Sequence, residues 1–398
     1  MTAFTTADAV ADERSVSPWL TFLLATACGL IVANIYYAQP LAGPISASLG
    51  LSPNATGLIV TLTQIGFTAG LLLIVPLGDL MENRRLVLVA IAVAALGLLA
   101  AGLSSHALSF LAAALFIGLG SVAVQVLVPY AAHMAPEAVR GRVVGNVMSG
   151  VMLGIMLARP AASFITEVSS WHMVFFLSAG AMIVVGLVLS RALPQRVPRA
   201  TISYGALLVS MARLAATTPI LQRRALYHAC LFAAFSLFWT TTPLLLAGPA
   251  FQLSQGGIAL FALAGVAGAV ATPIAGRAAD RGWSRPATAF AMLCVAVSFL
   301  ITDIAPEGST LALGFLVAAA VLLDFGMSAN MAVGQRAIFT LSADLRSRLN
   351  GLYMATFFVG GAIGSAVGGW AYANGGWPLT SWIGIAFPIA ALLYFLTE

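Results

Sequence analysis

The sequence predicts an all-α polytopic membrane protein: twelve transmembrane helices in two pseudo-symmetric six-helix bundles. Three observations lead there: a composition that suits lipid, a regular series of apolar runs, and a repeat of the front half in the back half. Of 398 residues, 61% are hydrophobic and only 8% charged, against roughly 25% charged in a soluble domain. So few ionisable side chains cannot cover a water-soluble body of this length.

Taken in chain order, residues 1–18 form a short N-terminal tail. Its Asp8, Asp12, Glu13 and Arg14 give the wrong charge pattern for a secretory signal. A helix needs about 20 mostly apolar residues to cross roughly 30 Å of hydrocarbon. Twelve runs meet that length, at 19–46, 54–77, 85–104, 108–132, 143–165, 172–192, 225–248, 256–276, 286–303, 310–338, 349–373 and 378–396. The interval 193–224 is the longest polar stretch and carries three prolines and five arginines. It reads as a cytoplasmic linker between an N-terminal bundle, 19–192, and a C-terminal bundle, 225–398.

All 18 basic residues are arginines. Without lysine there is no P-loop lysine and no Schiff base, so the energy source is expected to be something other than bound ATP. No cofactor is expected. Cytoplasmic loops collect positive charge, and with both termini inside every arginine except Arg159 falls on a cytoplasmic segment. The outer loops hold Glu167, Asp303 and Glu307. Cys28, Cys230 and Cys294 are scattered through apolar runs, a pattern of small buried hydrophobes and not of a metal site.

The repeat is direct. Arg140-Gly-Arg142-Val-Val-Gly145 aligns with Arg346-Ser-Arg348-Leu-Asn-Gly351 at an offset of 206, which also sets Met148 on Met354 and Gly154 on Gly360. Pro76-Leu-Gly78 with Glu82 matches Gly276 with Asp280. Duplicated helical halves are a transporter signature. Small residues recur at i, i+4 in Gly66/Gly70, Gly150/Gly154 and Gly360/Gly364/Gly368. These are packing seams, expected on helices that slide across the interface between halves.

From Trp19 to Phe395 the chain resembles the major facilitator superfamily. The resemblance rests on the loop Gly78-Asp79-Leu80-Met81-Glu82-Asn83-Arg84-Arg85 and its second copy, Gly276-Arg277-Ala278-Ala279-Asp280-Arg281. In that family such loops hold the inner side shut, an acid lying beside the positive N-terminus of a neighbouring helix with arginines nearby. The resemblance therefore makes Gly78, Asp79, Glu82, Arg84, Arg85, Gly276, Asp280 and Arg281 cytoplasmic-gate candidates, with Arg140, Arg142, Arg346 and Arg348 as partners. The alternative is that these arginines only set topology. The runs Asn34–Pro40 and Gly150–Pro160 are similar to a bacterial branch of sugar-efflux and multidrug-efflux permeases. Two positions depart from the family: Ala114 stands where the span-four antiporter motif has arginine, and Ala158-Arg159 interrupts the span-five Gly-Pro motif.

Only Arg159 and Asp324 are ionisable and deep within predicted spans. A charge there costs about 2.5–3.5 kcal/mol on insertion scales and usually faces a cavity. Asp324, near mid-membrane, is the candidate for proton binding and release; Arg159 either neutralises it or binds an anionic group of the substrate. In the superfamily, spans one, four, seven and ten line a central cavity. That makes Asn34, Tyr36, Tyr37, Gln39, Gln125, Tyr130, His228, Phe235, Trp239, Thr240, Thr241, Thr242, Asn330 and Gln335 candidates for the substrate cavity. A mostly apolar pocket with a few hydrogen-bonding groups suits an uncharged or amphipathic molecule.

The expected function is secondary active transport of a small organic solute across the cytoplasmic membrane by alternating access. The resemblance implies a proton-coupled efflux antiporter for amphipathic, drug-like or sugar-like compounds; an uptake symporter is the alternative. A polytopic enzyme or a channel is remote, because no acid or histidine cluster and no ring of like charges occurs. The expected partners are the solute, protons and lipid, with no nucleic acid, and a monomer is expected.

Overall fold

A computed structural model of the chain describes residues 17–198, 203–270, 274–275, 277–278, 281–341 and 345–398. Among these the secondary structure is helical, with no strand. Among the described residues, ten helices are long and apolar enough to cross a membrane. The last, Arg346–Phe395, is 50 residues long and contains both the eleventh and twelfth expected runs, parted at Gly376, whose φ of 61° lies in the left-handed region that favours glycine. The eighth run is met by the shorter apolar helix Gln255–Val266.

The linker differs from expectation. It carries a helix of its own, Tyr204–Thr217, and span seven starts at Pro219, six residues before the apolar run begins. Proline at the first turn costs no hydrogen bond, because that N–H would have no helical partner. The helix therefore begins where the chain permits it, ahead of its apolar stretch.

Large apolar side chains such as Leu96, Leu108, Phe164, Leu187 and Trp382 face outward. That is the surface a helix bundle presents to hydrocarbon.

Within each half the same pair of helices meets at its backbone. Gly154 of span five lies so close to Gly29 of span one that a Cβ would strike the neighbouring chain, and its repeat partner Gly360 of span eleven meets Ala229 of span seven in the same way. The seams at Gly150/Gly154 and Gly360/Gly364 thus hold each half together instead of running between the halves. Glycine spacing marks a narrow helix face but does not name what approaches it.

Between the halves, span two packs on span eleven. Phe67 and Phe358 lie 4.4 Å apart by ring centroid, and the Thr61 and Ser365 hydroxyls are 2.8 Å apart. Gln64 Nε2 donates to Ser236 Oγ at 2.9 Å, Asn374 Nδ2 to Asn54 Oδ1 at 2.7 Å, and the Gly256 N–H to Glu167 Oε2 at 2.8 Å. All these contacts lie from the middle of the bundle to the end remote from the linker, so among the described residues the two halves meet directly there.

Candidate functional site

Three prolines shape the helices that meet at the centre. Span one is helical over Pro18–Ala33 and again over Ala38–Leu49. Between them Asn34–Tyr37 is wound more tightly, the Tyr36 N–H reaching the Ala33 carbonyl at 3.0 Å and the Gln39 N–H the Tyr36 carbonyl at 3.3 Å. Pro40 explains the break: it has no N–H, and its ring would collide with the Tyr36 carbonyl in a regular helix. Pro160 directly follows Arg159, and Pro243 removes the N–H that the Trp239 carbonyl would otherwise accept. Irregular backbone at this depth is tolerated where protein covers it or it lines a cavity.

Six side chains converge. Arg159 is 3% exposed and Asp324 5%. Arg159 Nε donates to Gln39 Oε1 at 2.7 Å. Its guanidinium carbon lies 4.4 Å from the Trp239 ring centroid, 5.0 Å from that of Phe235 and 5.2 Å from that of Tyr36. On the other side, Trp239 Nε1 donates to Asp324 Oδ1 at 3.3 Å. Tyr36, Gln39 and Arg159 come from the first six spans, and Phe235, Trp239 and Asp324 from the last six.

Among the described residues no direct ion pair joins Arg159 to Asp324; the indole stands between them. A desolvated cation–π contact contributes about 2 kcal/mol or more. A cation on the ring face and a carboxylate at the ring N–H polarise the indole in the same sense, so the two contacts strengthen each other. Three polar atoms are left over. Arg159 Nη2, Gln39 Nε2 and Asp324 Oδ2 are buried without a hydrogen-bond partner, each at a cost of about 1–3 kcal/mol, and more where charged. Span eight closes over the carboxyl at Gly265, where a Cβ would stand 2.5 Å from Asp324 Oδ2 and 3.0 Å from Trp239 Cζ2. Only glycine leaves the carboxyl that room.

The remaining cavity candidates are dispersed. Thr240 and Thr242 are buried with unpartnered hydroxyls, while Thr241 bonds back to the Leu237 carbonyl at 2.8 Å. His228 is fully buried between Tyr353 and Phe357, at centroid distances of 5.0 and 4.3 Å, and Asn330 Nδ2 donates to its Nδ1 at 3.2 Å. Asn34 turns into its own half, accepting from Ser178 Oγ at 2.6 Å and donating to Met182 Sδ at 3.4 Å. Tyr37 is half-buried, as is Gln125. Tyr130 donates to the Pro194 carbonyl at the linker end, and Gln335 Nε2 to Asn350 Oδ1 at 3.4 Å. Sequence reasoning passed over Gln64, although it is a visible polar residue in an apolar run, and Gly265, which carries no signal of its own.

At the linker end four of the gate candidates, Glu82, Arg84, Arg140 and Arg346, bond the backbone groups of helix ends. Glu82 accepts from the backbone N–H groups of Arg84 and Arg85 at 3.0 and 2.8 Å, capping the helix it begins and not a neighbour's, as local geometry favours. The Arg84 guanidinium reaches the Ser190 and Leu193 carbonyls at the end of span six. The repeated arginines do likewise, Arg140 Nε donating to the Ala132 carbonyl at 3.1 Å and Arg346 Nε to that of Phe339 at 3.0 Å. A cation at a helix C-terminus is favoured by the macrodipole. Arg348 Nη1 donates to Ser210 Oγ of the linker helix at 3.1 Å. Gly78 is buried, whereas Asp79, Arg85, Arg142 and Arg281 are exposed; Gly276 and Asp280 lie outside the described residues.

A bundle of membrane helices whose two halves meet around a buried cation and a buried carboxyl is an arrangement that suits a transporter. The Major Facilitator Superfamily pattern matches residues 21–315 and 225–398. The chain is 39% identical over 381 residues to an uncharacterized transporter, YgaY, of Escherichia coli O157:H7, covering 96% of each chain. It shares its fold with a mutant of the nucleoside transporter NupG, at a TM-score of 0.75 and 13% identity, covering 95% of this chain and 99% of that one. A D-xylose-proton symporter is similar in fold at a TM-score of 0.69 and 15% identity, with 94% and 96% covered. The chain belongs to the major facilitator superfamily.

Proposed function

We propose that this protein is a proton-coupled secondary active transporter that moves a small organic solute across the cytoplasmic membrane, with both termini in the cytoplasm. One observation carries the reading: a buried carboxyl, Asp324, faces a permanent cation, Arg159, across the boundary between the halves, with Trp239 bonded to both. Proton uptake at Asp324 changes the charge at the point where the halves meet. Residues 19–192 and 225–398 move against each other about the linker 193–224, and the remote contacts part when the linker end closes. Glu82, Arg84, Arg140, Arg346 and Arg348 hold the helix ends that form that closure. The protein acts as a monomer.

The similarity to efflux permeases favours exchange, with an amphipathic, drug-like or sugar-like solute leaving against incoming protons. The second reading is co-transport of solute and proton, favoured by Arg159, a cation that no bound proton neutralises. A thermal-shift screen of sugars, amino acids, nucleosides and lipophilic ions identifies a solute for flux measurements, since a ligand of the folded state stabilises it by RT ln(1 + [L]/Kd). Asp324→Asn is expected to abolish accumulation driven by a pH gradient in proteoliposomes while solute exchange at equilibrium survives. Undiminished gradient-driven accumulation would remove Asp324 from the mechanism.

A further inference from the structure

We propose that the solute bound at Arg159 and Gln39 is a small monovalent organic anion, carried in the same direction as the proton. This rests on the reading of Asp324 as the proton site; it narrows the solute class and selects the second reading, co-transport, over exchange.

The donors left over in the site point to an anion. Arg159 Nη2 and Gln39 Nε2 are buried and unpartnered, and they belong to two side chains already joined through Arg159 Nε and Gln39 Oε1. Two adjacent donors, one of them cationic, are matched by the oxygens of a carboxylate or sulfonate, and such charge-assisted bonds are the strong ones. The walls beside them are the rings of Tyr36, Phe235 and Trp239, which suits an anion with an apolar body.

Charge balance then sets the coupling. With Asp324 ionised and the site empty, Arg159 and Asp324 sum to zero. Proton binding at Asp324, whose Oδ2 is unpartnered, leaves a net charge of +1 from Arg159 at mid-membrane, which is costly. A monovalent anion returns the sum to zero. The two neutral forms are the empty, deprotonated site and the site holding proton and anion together, and only these pass readily through the middle of the membrane. An organic cation would raise the sum to +1 with Asp324 ionised, and a neutral solute would give the proton no reason to bind. No bond to the solute forms or breaks: the proton adds to the Asp324 carboxylate from water on one side and returns to water on the other.

The groups that face Asp324 are consistent with this sum. Span five presents Arg159 and span one Tyr36; span seven presents Trp239, and span eight Gly265. On span nine, Cys294 lies against Gly326, close to Asp324 in sequence. His228 pairs with Asn330, about 9 Å further along span ten.

The test uses the purified full chain and benzenesulfonate, which stays ionised and does not cross a bilayer unaided. Benzenesulfonate is expected to raise the melting temperature at about pH 5.5, and to bind about tenfold or more weakly at about pH 8.5, because a carboxylate at Asp324 opposes a second negative charge in the site. Arg159→Gln should lose binding at both pH values, whereas Arg159→Lys, which keeps the charge, retains weaker binding and guards against a mere folding defect. Asp324→Asn should bind at both pH values yet fail to accumulate the anion under a pH gradient. Stabilisation by tetramethylammonium or glucose but not by benzenesulfonate overturns the anion site, as does a benzenesulfonate shift unaltered in Arg159→Gln. If Asp324→Asn still accumulates the anion with the gradient, the proton site lies elsewhere and the co-transport scheme falls with it, while the anion site stands.

Discussion

Trp239 lends its face to a guanidinium and its N–H to a carboxylate, and so keeps two opposite charges near each other without letting them touch. A direct pair in a medium of low dielectric would hold strongly once formed; an indole between them keeps each attraction modest enough for a proton to alter. Gly265 is the counterpart on the far side of the carboxyl. Gly265→Ala places a methyl group 2.5 Å from Asp324 Oδ2, so the carboxyl must turn from its bond to Trp239. Because span eight is partly exposed there, the expected outcome is a melting temperature changed by only a few degrees and a gradient-driven flux reduced about tenfold or more. Full flux in that variant would show that Oδ2 has no role. Arg159 and Asp324 stood out in the sequence because a charge in an apolar run is expensive wherever it points. Gly265 did not, because its importance lies entirely in what faces it.

At the scale of helices, proline and glycine have separate tasks. Pro40 breaks span one where Tyr36 and Gln39 enter the site, while Gly154 and Gly360 allow span one to close on span five and span seven on span eleven. Since the two glycines are repeat partners in equivalent contacts, Gly154→Leu and Gly360→Leu should destabilise to similar extents, each by about 1–3 kcal/mol through overpacking. Thermal unfolding in detergent checks this, and a large loss for only one of them would deny that the halves are built alike. The apolar runs and their order were legible from transfer energetics. The break in span one was signalled only by Pro40, and the early start of span seven not at all, because polar residues extend a helix beyond the membrane at little cost.

For the whole molecule, the direct contacts between the halves among the described residues run from the middle of the bundle to the end remote from the linker, and motion between the halves must break them. Asn54 and Asn374 bridge the halves at 2.7 Å on the end remote from the linker. A disulfide between Asn54→Cys and Asn374→Cys is expected to hold that end shut, stopping transport under oxidant and restoring it with reductant. Full transport by the crosslinked protein would contradict alternating access at this interface.

The sequence by itself determined the solvent, the succession of spans, the duplication and the two charges that lipid makes costly, because hydrophobic transfer is nearly additive along a chain and needs no knowledge of neighbours. Only the tertiary structure decided that Arg159 rests on Trp239 and not on Asp324, that Asn34 turns away into its own half, and that Glu82 caps its own helix. Those outcomes depend on how each helix is rotated and on which backbone comes near, and successive residues point about 100° apart around a helix, so a single residue of rotation changes every partner.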